Sequence, residues 1–178
     1  MKIGITGNIA AGKSEVESLI KNSGFAVYDL DKITHELYEN ESIKSRLFDV
    51  FNTFDRNEIS KIVFNSKEKM KLLESIIHPE LKNFIQSINE DNLVFVSGAL
   101  IYEAGFDKYF DKIIFVSAPK ELRLKRLIKR NNYTEAEALK RIEFQSSNYQ
   151  DKADFVILND ATLDNLKTKV QEILSKLQ

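Results

Sequence analysis

The chain contains no cysteine, and this absence excludes three kinds of chemistry. Disulfide bonds, zinc sites built from thiolates and catalysis by a thiol nucleophile all need that residue. With 26 basic and 27 acidic residues, the formal net charge is -1, so the chain as a whole offers no polybasic surface. No stretch approaches the roughly 18 apolar residues that a membrane-spanning helix needs. We therefore expect neither a nucleic-acid partner nor a membrane partner.

Glycine and proline are also scarce, with six and two residues among 178. No linker rich in Gly, Ser or Pro divides the chain, and no internal repeat is present. This predicts one compact domain over residues 1–178. The apolar start is short and leads straight into a loop, which is unlike a secretory signal. Together with the lack of cysteine, this favours a cytoplasmic setting, while the oligomeric state is not indicated.

Five short apolar runs are separated by segments with helical periodicity. They lack strict alternation of apolar and polar residues, as expected for strands that are buried on both faces of a parallel sheet. The runs are Ile3–Thr6, Phe25–Tyr28, Leu93–Val96, Lys112–Val116 and Phe155–Leu158. Because strands and helices alternate, the sequence predicts an α/β fold, with a five-stranded parallel sheet flanked by helices.

Two stretches exceed what a minimal strand–helix–strand series requires. Residues 32–92 have helical patterns without a strand, and residues 119–150 form a charged helical pair between the fourth and fifth strands. We interpret the first as a helical acceptor-binding insertion and the second as a helical lid.

A phosphate-binding loop follows the first strand. Gly7, Gly12, Lys13 and Ser14 match the pattern G-x-x-x-x-G-K-[ST], in the strand–loop–helix context that the motif requires. Its backbone N–H groups and the helix N-terminus bind phosphates, Lys13 reaches the β and γ phosphates, and the Ser14 hydroxyl is a magnesium ligand. We predict ATP and Mg²⁺ as cofactors, although phosphate binding alone does not separate a kinase from a GTPase. The predicted nucleotide-binding residues are Gly7, Asn8, Ile9, Ala10, Ala11, Gly12, Lys13, Ser14 and Glu15.

Two aspartates, Asp29 and Asp31, stand at the carboxyl end of the second strand. Ligands bind outside the carboxyl ends of strands in open parallel sheets. A carboxylate there can accept a hydroxyl proton or hold magnesium through water. The alternative is that Asp31 only caps the helix that begins near Lys32.

Beyond the loop, the sequence resembles the dephospho-coenzyme A kinase family over nearly its whole length. The segments that carry the resemblance follow the family's order. They are Ile3–Ser14, Val27–Ile33, Asp55–Arg56, Ile62–Phe64, Leu73–Pro79, Leu100–Glu103, Arg126–Arg130, Arg141–Gln145 and Ala153–Asn159. Departures occur in and near the loop, where Asn8, Ala10, Ala11 and Glu15 replace the usual Gly, Gly, Ser and Thr, and at Ala99, which replaces a proline. Ala10 would cost roughly 1 kcal/mol or more if its position requires a positive φ.

The resemblance implies transfer of the ATP γ-phosphoryl group to the ribose 3′-hydroxyl of dephospho-CoA, with Asp31 as base or orienting group. It also implies phosphate contacts from lid residues Arg126, Arg130 and Arg141, of which Arg141 is the preferred contact for ATP. Gln145, one turn further on, is a lid residue on the same face as Arg141. Without the family resemblance, the arginines at 123, 126 and 130 would be interpreted as a solvated basic face of a helix.

Two further residues are candidate acceptor contacts by the same resemblance. His78 precedes Pro79, which predicts a helix starting at Pro79 with His78 extended; the alternative is an ordinary histidine at a helix boundary. Glu103 follows the third strand, and the alternative is a surface loop acid.

Three other functions remain open at this point. The chain could be another small-molecule P-loop kinase, acting on a nucleoside, nucleotide or sugar acid. A GTPase switch would normally show an N-K-x-D motif, which the sequence lacks. A silent nucleotide-binding protein is disfavoured by the intact Lys13, Ser14 and Asp31.

Overall fold

The structure, a computed structural model, describes residues 1–89, 91–145 and 149–178. These residues form two compact units. The first contains Met1–Tyr28 and the described residues from 91 to 178, and the second contains Asp29–Asn89. Predicted boundaries at 32–92 and 119–150 include residues 90 and 146–148, which lie outside the described residues.

The first unit is built on a parallel sheet of five strands. The last residue of its second strand, Asp29, is also the first residue of the second unit. The strands are β1 (Lys2–Gly7), β2 (Ala26–Asp29), β3 (Val94–Ser97), β4 (Lys112–Ser117) and β5 (Phe155–Leu158). Their order is β2-β3-β1-β4-β5, which places β1 at the centre. Strand β1 pairs in parallel with β3 and β4, with Ile3 opposite Phe95 and Ile5 opposite Ile114. The predicted five-stranded parallel sheet is thereby confirmed.

The described residues contain eight α-helices. They are α1 (Lys13–Asn22), α2 (Leu30–Leu37), α3 (Glu41–Phe51), α4 (Arg56–Phe64), α5 (Lys67–Ser87), α6 (Lys120–Asn131), α7 (Glu135–Phe144) and α8 (Leu163–Leu177). None of the helices in the described parts of the chain combines the length and apolar character that crossing a membrane would need.

The core of the first unit lies between the central strands and helices α1 and α8. Every residue of β1 and β3 is buried, which explains why their sequences show no alternation. On α8 the buried stripe begins at Leu166, whereas Leu163, the first residue of the helix, is 63% exposed. Burial of these branched side chains fixes the sheet, and the sheet in turn fixes where the phosphate-binding loop starts.

The second unit consists of helices α2 to α5. Each begins at a side-chain cap: Asp29, Asn40, Asp55 or Ser66 accepts hydrogen bonds from backbone N–H groups of the first turn. The long helix α5 contacts the other three. Helical structure in this region agrees with the sequence pattern, and its role in acceptor binding stays a prediction.

One helix boundary was predicted wrongly. Helix α5 runs without interruption from Lys67 to Ser87, with Pro79 inside it, so His78 is helical and not extended. Proline removes one hydrogen bond and disfavours a helical residue before it. Here packing outweighs that preference, because Ile76, Ile77 and Leu81 on either side of the proline are buried.

Candidate active site

The phosphate-binding loop is pinned to β4 where it leaves β1. The backbone N–H of Asn8 donates to the carbonyl oxygen of Val116 over 3.1 Å. A Cβ atom on Gly7 would overlap that oxygen and would lie 2.9 Å from the carbonyl carbon. Ser117 Oγ, at the end of β4, lies 3.5 Å from Asn8 Oδ1. Only glycine at position 7 therefore allows the loop to depart this close to β4.

Two residues of the loop adopt the left-handed conformation. Gly12 has φ 100° and Ala10 has φ 59°. Ala10 thus occupies a position that requires positive φ, at a cost of about 1–2 kcal/mol relative to an ordinary conformation. Gly12 precedes α1, which starts without a side-chain cap. The first N–H groups of α1 are therefore not satisfied by a capping side chain, as an anion-binding helix N-terminus requires.

Asn159, directly after β5, holds the loop through a hydrogen bond from its side chain. Its Nδ2 donates to the carbonyl oxygen of Ala11 over 2.9 Å, and its own N–H donates to Ser117 O over 2.7 Å. The residue is buried, and a Cβ atom on Gly12 would overlap its amide. Asn159 thus fixes both the carbonyl of Ala11 and the room that is available to residue 12.

Lys13 is held by two buried oxygens beside the loop. Its Nζ lies 2.9 Å from Glu17 Oε1, four residues along α1, and 2.7 Å from Ser97 Oγ at the end of β3. Ser97 Oγ also donates to Glu17 Oε1. Glu17 and Ser97 are 6% and 0% exposed. The ammonium group is therefore anchored within a small polar cluster in the base of the loop.

Helices α6 and α7 also pack against the loop. Leu127, Ala138 and Ile142 form a small buried cluster between them, and Ile9 and Ala10 pack against it. Ala10, which stands where the resembled family usually has glycine, is part of this contact. The apolar side chains of the loop thus have a structural use, which is to attach it to the two helices.

Two polar side chains strengthen that attachment. Gln145 accepts a hydrogen bond from Ile9 N–H over 2.6 Å and donates to Gly7 O over 3.3 Å. Arg126 Nη1 donates to the carbonyl oxygens of Ala10 and Ala11, over 3.3 and 3.1 Å. Arg126 was predicted as a lid contact for phosphate, and Gln145 as a lid residue. In this structure they bind the backbone of the loop, and direct phosphate contact stays a prediction.

The other arginines of these helices have different surroundings. Arg141 is exposed, and its guanidinium carbon lies 4.7 Å from the centre of the Tyr133 ring. Arg130 is exposed, and its Nε donates to Asn131 Oδ1 over 2.9 Å. Arg123 Nε donates to Ala118 O over 3.1 Å, and burial lowers its pKa. The three arginines of α6 therefore do not form one uniformly solvated face.

Ser14, Glu15 and Glu103 have exposed side chains. Ser14 is in the first turn of α1, Glu15 lies close to Gly12, and Glu103 lies in the turns that follow β3. Exposure leaves each of them accessible to a ligand. Their predicted contacts with magnesium, nucleotide and acceptor stay predictions.

Asp31 and His78 belong to the second unit. Asp29, not Asp31, caps α2, since its Oδ1 accepts from the N–H groups of Asp31 and Lys32 over 2.9 and 3.3 Å. The interpretation of Asp31 as the helix cap is therefore wrong. Asp31 is exposed in the first turn. His78 is half-buried in α5, and desolvation lowers its pKa, an effect that nearby Glu74 opposes.

Comparison with known proteins adds the family. A family model described as dephospho-CoA kinase matches residues 1–165. A dephospho-CoA kinase of Fusobacterium nucleatum is 38% identical over 184 residues, which cover 96% of this chain and 95% of that protein. The chain belongs to the dephospho-CoA kinase family. Members of this family are phosphotransferases, so this chain is one as well.

Solved structures agree with that assignment. The protein TT1252 from Thermus thermophilus has a TM-score of 0.84 and 31% identity, with 100% of this chain and 98% of the other covered. Dephospho-CoA kinase from Campylobacter jejuni has a TM-score of 0.65 and 26% identity, with 99% and 97% covered. This member of the dephospho-CoA kinase family therefore has the P-loop kinase fold of its relatives.

Three residues of this dephospho-CoA kinase family member were not predicted as site residues. Asn159, Glu17 and Ser97 all contact the loop or its lysine. Asn159 is part of the segment that carries the family resemblance, and its polarity directly after the apolar run of β5 was an available signal. Glu17 offered a weaker one, as an acid beside Val16 on the apolar face of α1.

Proposed function

We propose that the protein transfers the γ-phosphoryl group of ATP to the 3′-hydroxyl of the ribose in dephospho-CoA, giving coenzyme A and ADP. The observation that carries the proposal is the phosphate-binding loop, with Lys13 anchored beside it and an uncapped α1 behind it. Membership of the dephospho-CoA kinase family indicates that the acceptor is dephospho-CoA. Phosphoryl transfer depends on positioning and charge neutralisation, and the loop offers both.

ATP binds, in this proposal, with its phosphates at the N-terminus of α1. The backbone N–H groups at the start of that helix carry partial positive charge. Lys13 is a compact cation on a flexible stem, able to follow the β and γ phosphates. Arg130 on α6 and Arg141 on α7, both exposed, are the mobile donors of the proposed lid.

The residues present fit a magnesium ion that is held mainly by the nucleotide. The exposed Ser14 hydroxyl is a hard oxygen donor of the type that magnesium prefers. The described residues contain no group of three or more acids and histidines that could hold a metal. When bound, the ion neutralises charge on the β and γ phosphoryl oxygens. Ser14 is the protein ligand that we assign to it.

Asp31 is the proposed acceptor of the hydroxyl proton. A carboxylate is suited to orient the attacking hydroxyl and to take its proton during transfer. Because Asp29 already caps α2, the helix does not require Asp31 for that purpose. His78, with a lowered pKa, is neutral at pH 7 and is proposed as a hydrogen-bonding contact for the acceptor. Glu103 is the second proposed contact.

An acceptor screen tests the reaction. The purified protein is incubated with ATP and magnesium, and product is identified by mass spectrometry with dephospho-CoA, nucleosides, nucleotides or sugar acids as acceptor. We expect coenzyme A and an equal amount of ADP with dephospho-CoA. Transfer to another acceptor, with no coenzyme A above background, would identify a different small-molecule kinase. A cytoplasmic location and the lack of a nucleic-acid partner remain predictions from composition.

Asp31→Asn tests the proposed proton acceptor. The amide keeps the shape but cannot accept the proton, so turnover falls by about 10²–10⁴-fold while ATP affinity changes little. Asp29→Asn is the matched control, since asparagine also caps helices well and turnover is preserved. Unchanged turnover in Asp31→Asn would exclude the assigned role.

A further inference from the structure

Glu17 places a carboxylate at a buried position, where an apolar side chain would cost less free energy to bury. It lies on the buried side of α1 with Val16 and Ile20, both 0% exposed, and is itself only 6% exposed. Replacing a buried ion pair with apolar residues of similar size is often neutral or stabilising. The stability of α1 therefore gives no reason for an acid at this position.

The contacts of Glu17 are directed at the phosphate end of the site. Its Oε1 receives hydrogen bonds from Lys13 Nζ, over 2.9 Å, and from Ser97 Oγ. Lys13 Nζ also donates to Ser97 Oγ over 2.7 Å. The three side chains form a closed triangle of polar contacts. Glu17 thus acts on the lysine directly and, through Ser97, on the end of β3.

P-loop enzymes commonly pair the loop hydroxyl with an acid that follows a strand of the sheet. In this chain both neighbours of β1 end in serine: β3 ends at Ser97 and β4 at Ser117. Neither strand supplies a carboxylate at its last residue. The acid in contact with Lys13 comes instead from helix α1, and it reaches the end of β3 through Ser97.

We propose that Glu17 is a positioning residue for phosphoryl transfer, whose buried carboxylate holds Lys13 and Ser97 and replaces the strand-end acid of other P-loop enzymes. The inference rests on the proposed use of magnesium-ATP. Lys13 neutralises Glu17 before nucleotide binds. Once the lysine also faces phosphate, the carboxylate limits how far the ammonium moves and offers an acceptor for water bound to magnesium.

The charge of Glu17 is tested with Glu17→Gln, which keeps the side-chain shape. We expect kcat to fall about 10–100-fold, in the range of residues that orient metal and phosphate ligands. Binding of ATP without magnesium stays equal or becomes tighter, because a negative charge near the phosphates is gone. The gain in ATP affinity on adding magnesium falls about tenfold, as measured by calorimetric titration. The melting temperature falls, because Lys13 loses its buried counter-charge, and the loss of magnesium-dependent affinity is the result that identifies a positioning role.

The position of the charge is tested by moving it. Glu17→Ala is compared with the double variant Glu17→Ala/Ser97→Asp, which puts the acid at the end of β3. We expect the double variant to recover at least about tenfold of the lost magnesium-dependent affinity and kcat. Glu172→Gln, an exposed acid on α8, is the matched control and behaves as the wild type.

The outcomes separate the inference from the proposed function. If the wild type makes no coenzyme A, the proposed function fails, and the titrations without acceptor still test Glu17. Wild-type kcat and magnesium dependence in Glu17→Gln, with a lower melting temperature, would show a purely structural role and overturn the inference. If the double variant recovers neither magnesium-dependent affinity nor kcat, the proposal that Glu17 replaces a strand-end acid is overturned.

Discussion

Asn159→Ala should reveal how strongly β5 supports the phosphate-binding loop. The substitution removes the hydrogen bond from Nδ2 to Ala11 O, 2.9 Å long, and leaves a small void beside Gly12. A neutral buried hydrogen bond contributes about 1 kcal/mol. The carbonyl of Ala11 keeps its bond from Arg126, so no buried acceptor is left unpaired. We therefore expect a loss of about 1–2 kcal/mol in the free energy of unfolding.

Thermal unfolding and ATP titration measure the two consequences. For a chain of this length, the loss corresponds to a fall of roughly 3–6 °C in melting temperature. ATP affinity should fall more than kcat, since the loop is altered before the reaction begins. Asn159→Asp should be worse than Asn159→Ala, because its carboxylate would face the carbonyl oxygen of Ala11 in a buried site.

Asn57→Ala is the control for the same change on an exposed helical residue, and its melting temperature should be equal or slightly higher. The reasoning fails if Asn159→Ala matches the wild type in both melting temperature and ATP affinity. It also fails if Asn159→Asp is as stable as the wild type, since the buried amide would then have no orienting role.

Three further substitutions test the fold around the site. Gly7→Ala would drive a methyl group into the carbonyl of Val116; we expect a loss of about 3 kcal/mol or more, measured by urea unfolding. Asp29→Ala removes the cap of α2 and should cost about 1 kcal/mol by the same assay. Pro79→Ala restores the N–H that the Ser75 carbonyl of α5 lacks and should raise the melting temperature; a fall would show that the proline is needed for packing.

Local pattern was sufficient to predict the sheet and the loop. Strands β1, β3 and β4 are buried on both faces, and their runs of branched residues carry that information without reference to the rest of the chain. The loop is recognisable because Gly7 and Gly12 bracket it at a fixed spacing before Lys13. Both glycines prove to be required by close approach or by positive φ.

Long-range contacts were beyond the reach of the same reasoning. Asn159 and Ala11 are 148 residues apart, and Ser97 and Glu17 are 80 apart. Their pairing depends on which strands are neighbours, which residue type alone does not specify. The prediction at Pro79 was wrong for a related reason. The local preference of proline favours the start of a helix, but burial of the neighbouring isoleucines keeps α5 continuous across this residue.

The hydrogen bonds to the carbonyl of Ala11 also affect the N–H of Gly12, which belongs to the same peptide unit. Because a peptide unit is planar and trans, holding the Ala11 oxygen also sets the direction of the Gly12 N–H. Arg126 and Asn159 hold that oxygen from different parts of the chain. The donor is thus oriented when the protein folds, so a phosphate bound at this N–H would meet a preorganised group, and its affinity would depend partly on the two side chains that hold the Ala11 oxygen.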